Sequence, residues 1–356
     1  MHGWIILDKP LGLGSTQGVS AVKRALRTAG FDASKRGIKV GHGGTLDPLA
    51  TGVLPIAIGE ATKLAGRMLD SDKVYDFTIA FGAQTDTLDL EGKVIAESDL
   101  RPTLAQVDAV LPRFTGSIEQ VPPAYSALKV DGARAYDLAR AGEEVVLAGR
   151  RVTVFELKSS PARGGGPAKL VEGVHHERSA GGAPPPPFAE GANGPQHRVD
   201  HAPHGQGSSG GRSDPMLRAG EELDRITLTA HVSKGTYIRS LARDIALALG
   251  TVGHVTMLRR TKAGPFTLSH AISLDKLTEL GIARGLEDKL LPLRAGLDDI
   301  PALPLSPDQA GLLRQGRVLI GIAVNDGPYF AMLDDVPVAL VEAEDREVRV
   351  VRGFNL

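Results

Sequence analysis

Residues 41–55, GHGGTLDPLATGVLP, hold the pattern from which the organisation of this 356-residue chain is best worked out. Glycines and the Asp47-Pro48 step are typical of an irregular loop, because glycine permits backbone conformations that are closed to other residues. Pro48 disfavours the helical region for Asp47, so the carboxylate is held on a shaped loop among apolar neighbours. An ordinary turn aspartate that hydrogen-bonds its own backbone fits this pattern equally well, and the loop alone does not separate the two interpretations.

Apolar and polar residues alternate in two places, which predicts two half-buried strands. One is residues 75–81, YDFTIAF, and the other is residues 226–232, ITLTAHV. After the turn at Lys234-Gly235, apolar residues at helical spacing over 238–249 predict a helix that Gly250 ends. We therefore predict one sheet whose strands are separated in sequence and adjacent in space.

Capping signals mark further helices toward both ends of the chain. Ser15 predicts the N-cap of a helix that continues to Gly30, and Ser306-Pro307 predicts an N-cap followed by proline at the first helical position. Short strand-like runs follow the second helix, which indicates a small, mostly β domain. These runs are residues 318–324, 329–333, 338–341 and 348–351.

Composition changes abruptly at residues 161–222, which contain runs of glycine, proline and serine and one aromatic residue, Phe188. Such a segment cannot bury enough apolar surface to offset its chain entropy, so we predict a low-complexity, disordered insertion. His197 and His201 lie four residues apart in it, but no carboxylate cluster accompanies them, and a disordered loop is favoured over a metal site. The predicted domains are 1–160 and 223–297, two parts of one domain, and 298–356.

Charge is distributed unevenly although the formal net charge is only -1. Residues 21–40 and 231–262 each hold six Lys or Arg and one Asp, whereas residues 298–356 hold five Arg and ten carboxylates. Two basic segments make an RNA-binding face plausible. Cysteine is absent, which excludes disulfides and thiol chemistry. The N-terminus lacks a signal peptide pattern and no window has the apolar length of a membrane span, so we expect a soluble, cytoplasmic protein with no membrane partner.

Nucleotide-binding patterns are weak. Residues 12–18, GLGSTQG, miss the dinucleotide fingerprint because the third glycine is one place late. Walker A and HExxH patterns are absent from the sequence. A nucleotide-dependent oxidoreductase is therefore a poor alternative.

Other segments place the Asp47 loop in a larger pattern. The loop and its continuation to Lys63 closely resemble the signature of TruB-type tRNA pseudouridine synthases. Matching segments occur in the family's order and span nearly all of 1–158 and 223–265. They are residues 4–10 (WIILDKP), 73–75 (KVY), 121–132 (VPPAYSALKVDG) and 233–239 (SKGTYIR).

The resemblance implies a catalytic trio. Asp47 occupies the place of the essential aspartate, which acts as nucleophile at C1′ or at C6, and the sequence does not choose between these carbons. Arg239 matches the active-site arginine and could pair bidentately with a carboxylate. Tyr75 matches a tyrosine that stacks on the target base, although a core tyrosine would fit the same strand. Substrate-binding positions implied by the same motifs are His42, Gly43, Lys63, Tyr237 and Leu258, with His42 taking up space left by the extruded base.

The resemblance also implies the activity and the fold. We expect isomerisation of uridine-55 in the T loop of tRNA by base flipping, without cofactor or metal, by a monomer that needs no protein partner. The implied fold is α+β, a mixed, largely antiparallel sheet flanked by helices, with a small C-terminal PUA-like domain whose acidity argues against strong phosphate binding. An RNA-binding protein that has lost catalysis is the alternative, and the intact trio Asp47, Tyr75 and Arg239 argues against it.

Overall fold

A computed structural model of the chain describes residues 1–31, 38–126, 128–130, 133–141, 147–159 and 220–356. Met1–Pro161 and Ala219–Leu356 form one compact unit. Nearly all of the predicted insertion at 161–222 lies outside the described residues. The domain boundaries stay a prediction.

The described residues form strands and helices that we number in chain order. The strands are β1 (Gly3–Lys9), β2 (Val40–His42), β3 (Ala50–Ile58), β4 (Lys73–Phe81), β5 (Ala83–Thr85), β6 (Val94–Glu97), β7 (Gly116–Gln120), β8 (Lys129–Val130), β9 (Ala133–Arg134), β10 (Arg150–Ser159), β11 (Arg225–Val232), β12 (Gly253–Ala263), β13 (Phe266–Thr267), β14 (Ala271–Ile272), β15 (Ala302–Pro304), β16 (Leu319–Ile320), β17 (Gly327–Leu333), β18 (Val336–Glu344) and β19 (Glu347–Gly353). The α-helices are α1 (Ser15–Thr28), α2 (Ala65–Asp70), α3 (Leu104–Val110), α4 (Ala135–Arg140), α5 (Ile238–Ala248), α6 (Leu274–Ala283) and α7 (Pro307–Arg314). Short 3-10 helices are Gly59–Leu64, Leu111–Phe114, Leu268–His270, Leu286–Lys289 and Leu293–Gly296.

A large mixed sheet organises the main part of the molecule, in the order β14-β1-β3-β12-β4-β11-β10-β7, with β2 beside β3 and β13 beside β12. β1 with β14 and β3 with β12 pair in parallel, and the other neighbours pair antiparallel. β4 and β11 lie side by side, with Tyr75 opposite Ala230. The predicted α+β class, the largely antiparallel sheet and the joining of the two alternating strands in one sheet are confirmed.

Helices cover the sheet where its strands are apolar. α3 and α5 pack on one face of β4, β10 and β11, with Phe77, Leu228 and Leu241 fully buried. α1 and α6 pack on β1 and β3 around Leu7 and Leu26. Burying each such side chain contributes about 1.5–3 kcal/mol, so the alternating pattern fixes which sheet face the helices occupy.

The C-terminal residues form a five-stranded sheet, β15-β17-β18-β19-β16, against which α7 packs. Ser306 caps α7 by accepting from the Gln309 N–H at 3.2 Å, and Pro307 is the first helical residue, as predicted. This small β domain contacts the main sheet through Phe330 and Phe354, which join a buried cluster around Trp4.

Two local predictions are wrong. Ser15 is the first residue of α1 rather than its N-cap; Gly14 takes the N-cap position, and its N–H donates to the Gln17 side chain at 2.7 Å. The run 318–324 contains only the two-residue strand β16. No helix in the described part of the chain is long and apolar enough to span a membrane.

Candidate active site

Asp47 lies in the loop between β2 and β3, and its side chain is 47% exposed. The backbone on each side of it is fixed by buried side chains. The Ser15 hydroxyl donates to the Leu46 carbonyl at 2.9 Å and accepts from the Leu46 N–H at 2.7 Å. The Lys9 ammonium donates to the Pro48 carbonyl at 3.2 Å. Asp47 is therefore a half-exposed carboxylate on a rigidly held loop.

Arg260, on β12, supports the same loop from within the protein and is 1% exposed. Its guanidinium donates to the carbonyls of Val53 at 2.8 Å and of Gly44 and Thr45 at 3.3 Å. Gly52 has a φ of 98°, and a Cβ at that position would lie 2.2 Å from the Arg260 carbonyl oxygen. Glycine is required there because β3 and β12 approach so closely.

Arg239 extends from the first turn of α5 and joins two carboxylates. Its side chain is 8% exposed, and its Nη2 donates to Asp47 Oδ2 at 3.0 Å while its Nη1 donates to Asp89 Oδ2 at 3.1 Å. The Thr87 and Tyr125 carbonyls accept from the same guanidinium at 2.8 and 3.0 Å. Arg239 thus bridges two aspartates, one hydrogen bond to each, whereas we expected a bidentate pair with one carboxylate.

Asp89 is a site residue that the sequence analysis missed. Its side chain is 11% exposed, and its Oδ1 accepts from the Thr87 hydroxyl at 2.6 Å and the Glu91 N–H at 3.0 Å. A buried carboxylate bonded in this way holds Arg239 at a fixed distance from Asp47. Residues 86–92, DTLDLEG, contain two aspartates, and nothing in this sequence distinguishes one from the other.

A cavity of about 180 Å³ opens beside the carboxylate and is lined by Asp47, Tyr75, Tyr237, Arg239 and Leu258. The structure therefore brings together the predicted trio and two of the predicted substrate-binding positions. Tyr75 also packs against the apolar clusters on the helix-covered side of the sheet, so it is both a core residue and a cavity wall. One water molecule needs roughly 10–15 Å³, and the cavity is more than ten times larger, so it can admit a ligand.

Tyr237 is held at the cavity by side chains from neighbouring strands. The Gln120 amide donates to the Tyr237 carbonyl at 3.1 Å and accepts from the Tyr237 N–H at 2.8 Å. The Arg150 guanidinium lies 4.8 Å from the centre of the Tyr237 ring, a cation–π contact. Tyr237 directly precedes α5, so these contacts also fix where that helix, and with it Arg239, begins.

The other predicted substrate-binding residues are not among those lining this cavity. His42 lies on β2, and burial together with the charge of Arg260 lowers its pKa, which favours the neutral imidazole. Gly43 packs so closely that a Cβ there would lie 2.6 Å from Met68 Cβ. The Lys63 ammonium pairs with Glu60 at 2.6 Å and donates to the Gly353 carbonyl of the small β domain at 2.8 Å.

Two buried lysines lie near the site. Burial lowers the pKa of Lys9 to about 8, opposed by the charge of Asp47 and reinforced by Arg260. Burial, and to a smaller extent the charge of Arg260, lowers the pKa of Lys73 to about 8. Lys73 donates to the carbonyls of Met68, Leu69 and Ser71 at the end of α2, so both lysines hold backbone carbonyls. Among the described residues, no group of three or more His, Cys, Asp or Glu is placed to hold a metal ion.

An aspartate held by a buried arginine at a cavity with two tyrosines is the arrangement of an enzyme active site, and comparisons with known proteins identify the family. A profile described as "TruB family pseudouridylate synthase (N terminal domain)" matches residues 30–165, and one described as "tRNA pseudouridylate synthase B C-terminal domain" matches residues 239–298. The protein named tRNA pseudouridine synthase B from Novosphingobium aromaticivorans is 58% identical over 100% of this chain and 98% of its own length. Its namesake from Zymomonas mobilis is 52% identical over 100% of this chain and 96% of its own length.

Solved structures show the same fold at lower identity. A chain from the structure of an H/ACA RNP bound to a substrate RNA containing 2'-deoxyuridine has a TM-score of 0.62 at 21% identity, covering 99% of this chain and 85% of that one. A chain from a Cbf5-Nop10-Gar1 complex has a TM-score of 0.62 at 22% identity, covering 99% and 84%. The chain belongs to the TruB family of pseudouridylate synthases. It is accordingly an isomerase that forms pseudouridine.

Proposed function

We propose that this enzyme converts uridine-55 in the T loop of tRNA to pseudouridine, with Asp47 as the nucleophile. The observation that carries the proposal is the Asp47–Arg239 pair at the mouth of the cavity walled by Tyr75 and Tyr237. The names of the most similar relatives support tRNA as the substrate. The target base would leave its stack and enter the cavity, because a base inside a folded RNA loop is otherwise out of reach.

The geometry fits nucleophilic attack by a carboxylate. Arg239 bonds Oδ2 of Asp47, and no described residue bonds Oδ1, which leaves that oxygen free to attack C1′ or C6 of the target nucleotide. The C1′–N1 bond then breaks, the detached uracil turns, and a C1′–C5 bond forms. The bond between Asp47 and the nucleotide breaks as well, which restores the free carboxylate. The C5 proton leaves and N1 gains a proton, so the reaction is an isomerisation with no net change in atoms. Its balance needs no cofactor.

Only some cations of the two basic segments are exposed and so able to contact RNA phosphates. In the basic segment 231–262, Arg239 and Arg260 are buried within the site. Three other cations pair with carboxylates, Lys234 with Asp70, Arg243 with Asp244 and Arg259 with Asp8. Lys262 is exposed and has no carboxylate partner among the described residues. On α1, Lys23, Arg24 and Arg27 are all exposed. We propose that α1 supplies the larger share of phosphate contacts, with His42, Gly43 and Lys63 at the edge of the bound loop. When a substitution removes one phosphate contact, the slope of log Kd against log salt concentration should decrease by about one.

Tritium release from C5-labelled uridine in a T-stem-loop transcript tests the chemistry. Wild type should release one tritium per target uridine, and Asp47→Asn should release none above background while still binding the RNA. The matched control is Asp224→Asn, which removes an exposed aspartate paired with Arg101 at 3.2 Å. Equal release by wild type and Asp47→Asn would refute the role of Asp47.

The proposal includes action as a monomer without cofactor or protein partner. Purified chain and transcript, with a metal chelator present, should therefore be sufficient for full turnover. Binding of the RNA without any release by wild type would instead favour an RNA-binding protein that has lost catalysis.

A further inference from the structure

The hydroxyl of Ser126 is buried beside Asp47 and makes no hydrogen bond within the described part of the chain. Ser126 is 4% exposed, and its Oγ finds no partner among those residues. It lines the cavity walled by Tyr75 and Tyr237, and it also lines a second cavity of about 520 Å³. Asp47 and Arg239 line both cavities, so Ser126 stands where the two meet.

Backbone groups, rather than this hydroxyl, hold the Ser126 segment in the described part of the chain. The Ser126 N–H donates to the Ala124 carbonyl at 3.0 Å, and its own carbonyl accepts from the Tyr136 N–H at 3.1 Å. The preceding carbonyl, of Tyr125, accepts from Arg239 at 3.0 Å. Backbone hydrogen bonds therefore fix the segment without the side chain.

Two neighbouring aliphatic hydroxyls, by contrast, donate to backbone carbonyls of the protein. Thr236 lines the same cavity, and its hydroxyl donates to the Ser233 carbonyl at 3.0 Å. Ser240, fully buried on α5, donates to the Val121 carbonyl at 2.8 Å. A buried hydroxyl without a partner costs free energy, and native proteins keep such groups for a reason.

We propose that Ser126 is a substrate-contacting residue whose hydroxyl hydrogen-bonds the polar edge of the uracil when the target base enters the cavity. This rests on the proposed function. A hydroxyl can donate one hydrogen bond and accept two, which suits the alternating carbonyl and imide groups of uracil. Tyr75, Tyr237 and Leu258 also line the cavity, and a directional hydrogen bond from Ser126 would orient a ring held among them relative to Asp47.

Ser126→Ala should leave the stability of the free enzyme unchanged or raised, and it should lower the activity of the enzyme on RNA. Without RNA, the variant loses no hydrogen bond and sheds an unpaired hydroxyl, so its Tm stays equal to that of wild type or rises. With RNA, kcat/KM falls by about 5–30-fold, the usual range for removal of one hydrogen bond. The matched control Ser240→Ala breaks a bond in the free protein, so its Tm falls by about 2–4 °C. A Tm loss for Ser126→Ala as large as that of Ser240→Ala would assign Ser126 to the fold and overturn the inference.

A binding cycle locates the contact. In an Asp47→Asn background, which prevents turnover, Kd is measured for two stem-loops, one with uridine and one with an abasic residue at the target position. Ser126→Ala should weaken binding of the uridine RNA by about 5–30-fold and leave the abasic RNA unchanged. Equal weakening of both RNAs would overturn the base contact in favour of the backbone. If wild type releases no tritium, the proposed function fails; if wild type turns over and Ser126→Ala matches it in kcat/KM, only this inference fails.

Discussion

Replacing Ser15 by alanine should destabilise the protein and impair catalysis together, although Ser15 does not line the cavity beside Asp47. Its hydroxyl both donates to the Leu46 carbonyl and accepts from the Leu46 N–H, at 2.9 and 2.7 Å. Ser15 is 5% and Leu46 is 4% exposed, so water cannot readily replace the missing hydroxyl. The substitution leaves two buried backbone groups unpaired, directly before Asp47.

The magnitude follows from those two groups. Each buried group left without a partner costs about 1–3 kcal/mol, so the free energy of unfolding should fall by about 2–6 kcal/mol. The loop can recover part of this by shifting Leu46 toward another donor or acceptor, and that shift moves Asp47. A displacement of about 1 Å at a reacting group can reduce turnover by about 100-fold, so kcat should fall much more than KM rises.

Urea unfolding and single-turnover tritium release measure the two effects. Ser20→Ala is the matched control, because Ser20 is on the same helix and its exposed hydroxyl donates to the Thr16 carbonyl at 3.0 Å. Ser20→Ala should change the free energy of unfolding by less than about 0.5 kcal/mol and leave turnover intact. If Ser15→Ala behaves like Ser20→Ala in both assays, the loop is not held by this hydroxyl.

Three further variants probe other contacts of the site. Asp89→Asn removes one of the two carboxylates on Arg239, so urea unfolding should show a loss of about 3 kcal/mol and kcat should fall; unchanged kcat would mean that Asp47 alone suffices to hold the arginine. Gly43→Ala forces a methyl against Met68 and should cost about 1–3 kcal/mol in the same unfolding assay, whereas an unchanged midpoint would show that α2 shifts freely. Because the pKa of Lys73 is lowered to about 8 in the folded protein, the unfolded chain binds more protons than the folded one between pH 8 and 10.5. The contribution of Lys73 to the free energy of unfolding is therefore absent below pH 8 and gained as the pH rises above 8. From pH 7.5 to 9.5 this contributes about 1–2 kcal/mol, which Lys73→Met should remove; an equal rise in the variant would contradict the assignment.

The sequence was most informative where a pattern repeats. Alternation in 75–81 and 226–232 predicted two strands of one sheet, and β4 and β11 pair directly because a one-residue slip would turn every apolar side chain to the wrong face. The Ser306-Pro307 signal predicted the start of α7 for a similarly local reason. The prediction that Ser15 is an N-cap was wrong because its hydroxyl bonds a loop 31 positions away along the chain, and a local capping pattern does not indicate such a contact.

Long-range contacts decided what the pattern could not. Asp89 lies 150 positions from Arg239 in the chain. The Ser126 hydroxyl becomes informative only when its surroundings are known, because no described residue bonds it. A lone aspartate or serine carries no sequence period, because its role depends on which groups the fold brings within about 3 Å of it.

By itself, the sequence predicted two alternating strands in one sheet and an irregular loop at GHGGTLDPLATGVLP, because periodicity and the backbone preferences of glycine and proline act over a few residues. The α+β class and the role expected of Asp47 came from the resemblance of its ordered motifs to a known family. The tertiary structure decided that Arg239 bridges Asp47 and Asp89, that Ser15, Lys9 and Arg260 fix the loop, and that Ser126 lines the cavity with its hydroxyl unpaired among the described residues. Those are contacts between distant segments, and their geometry exists only after the sheet has brought its strands together.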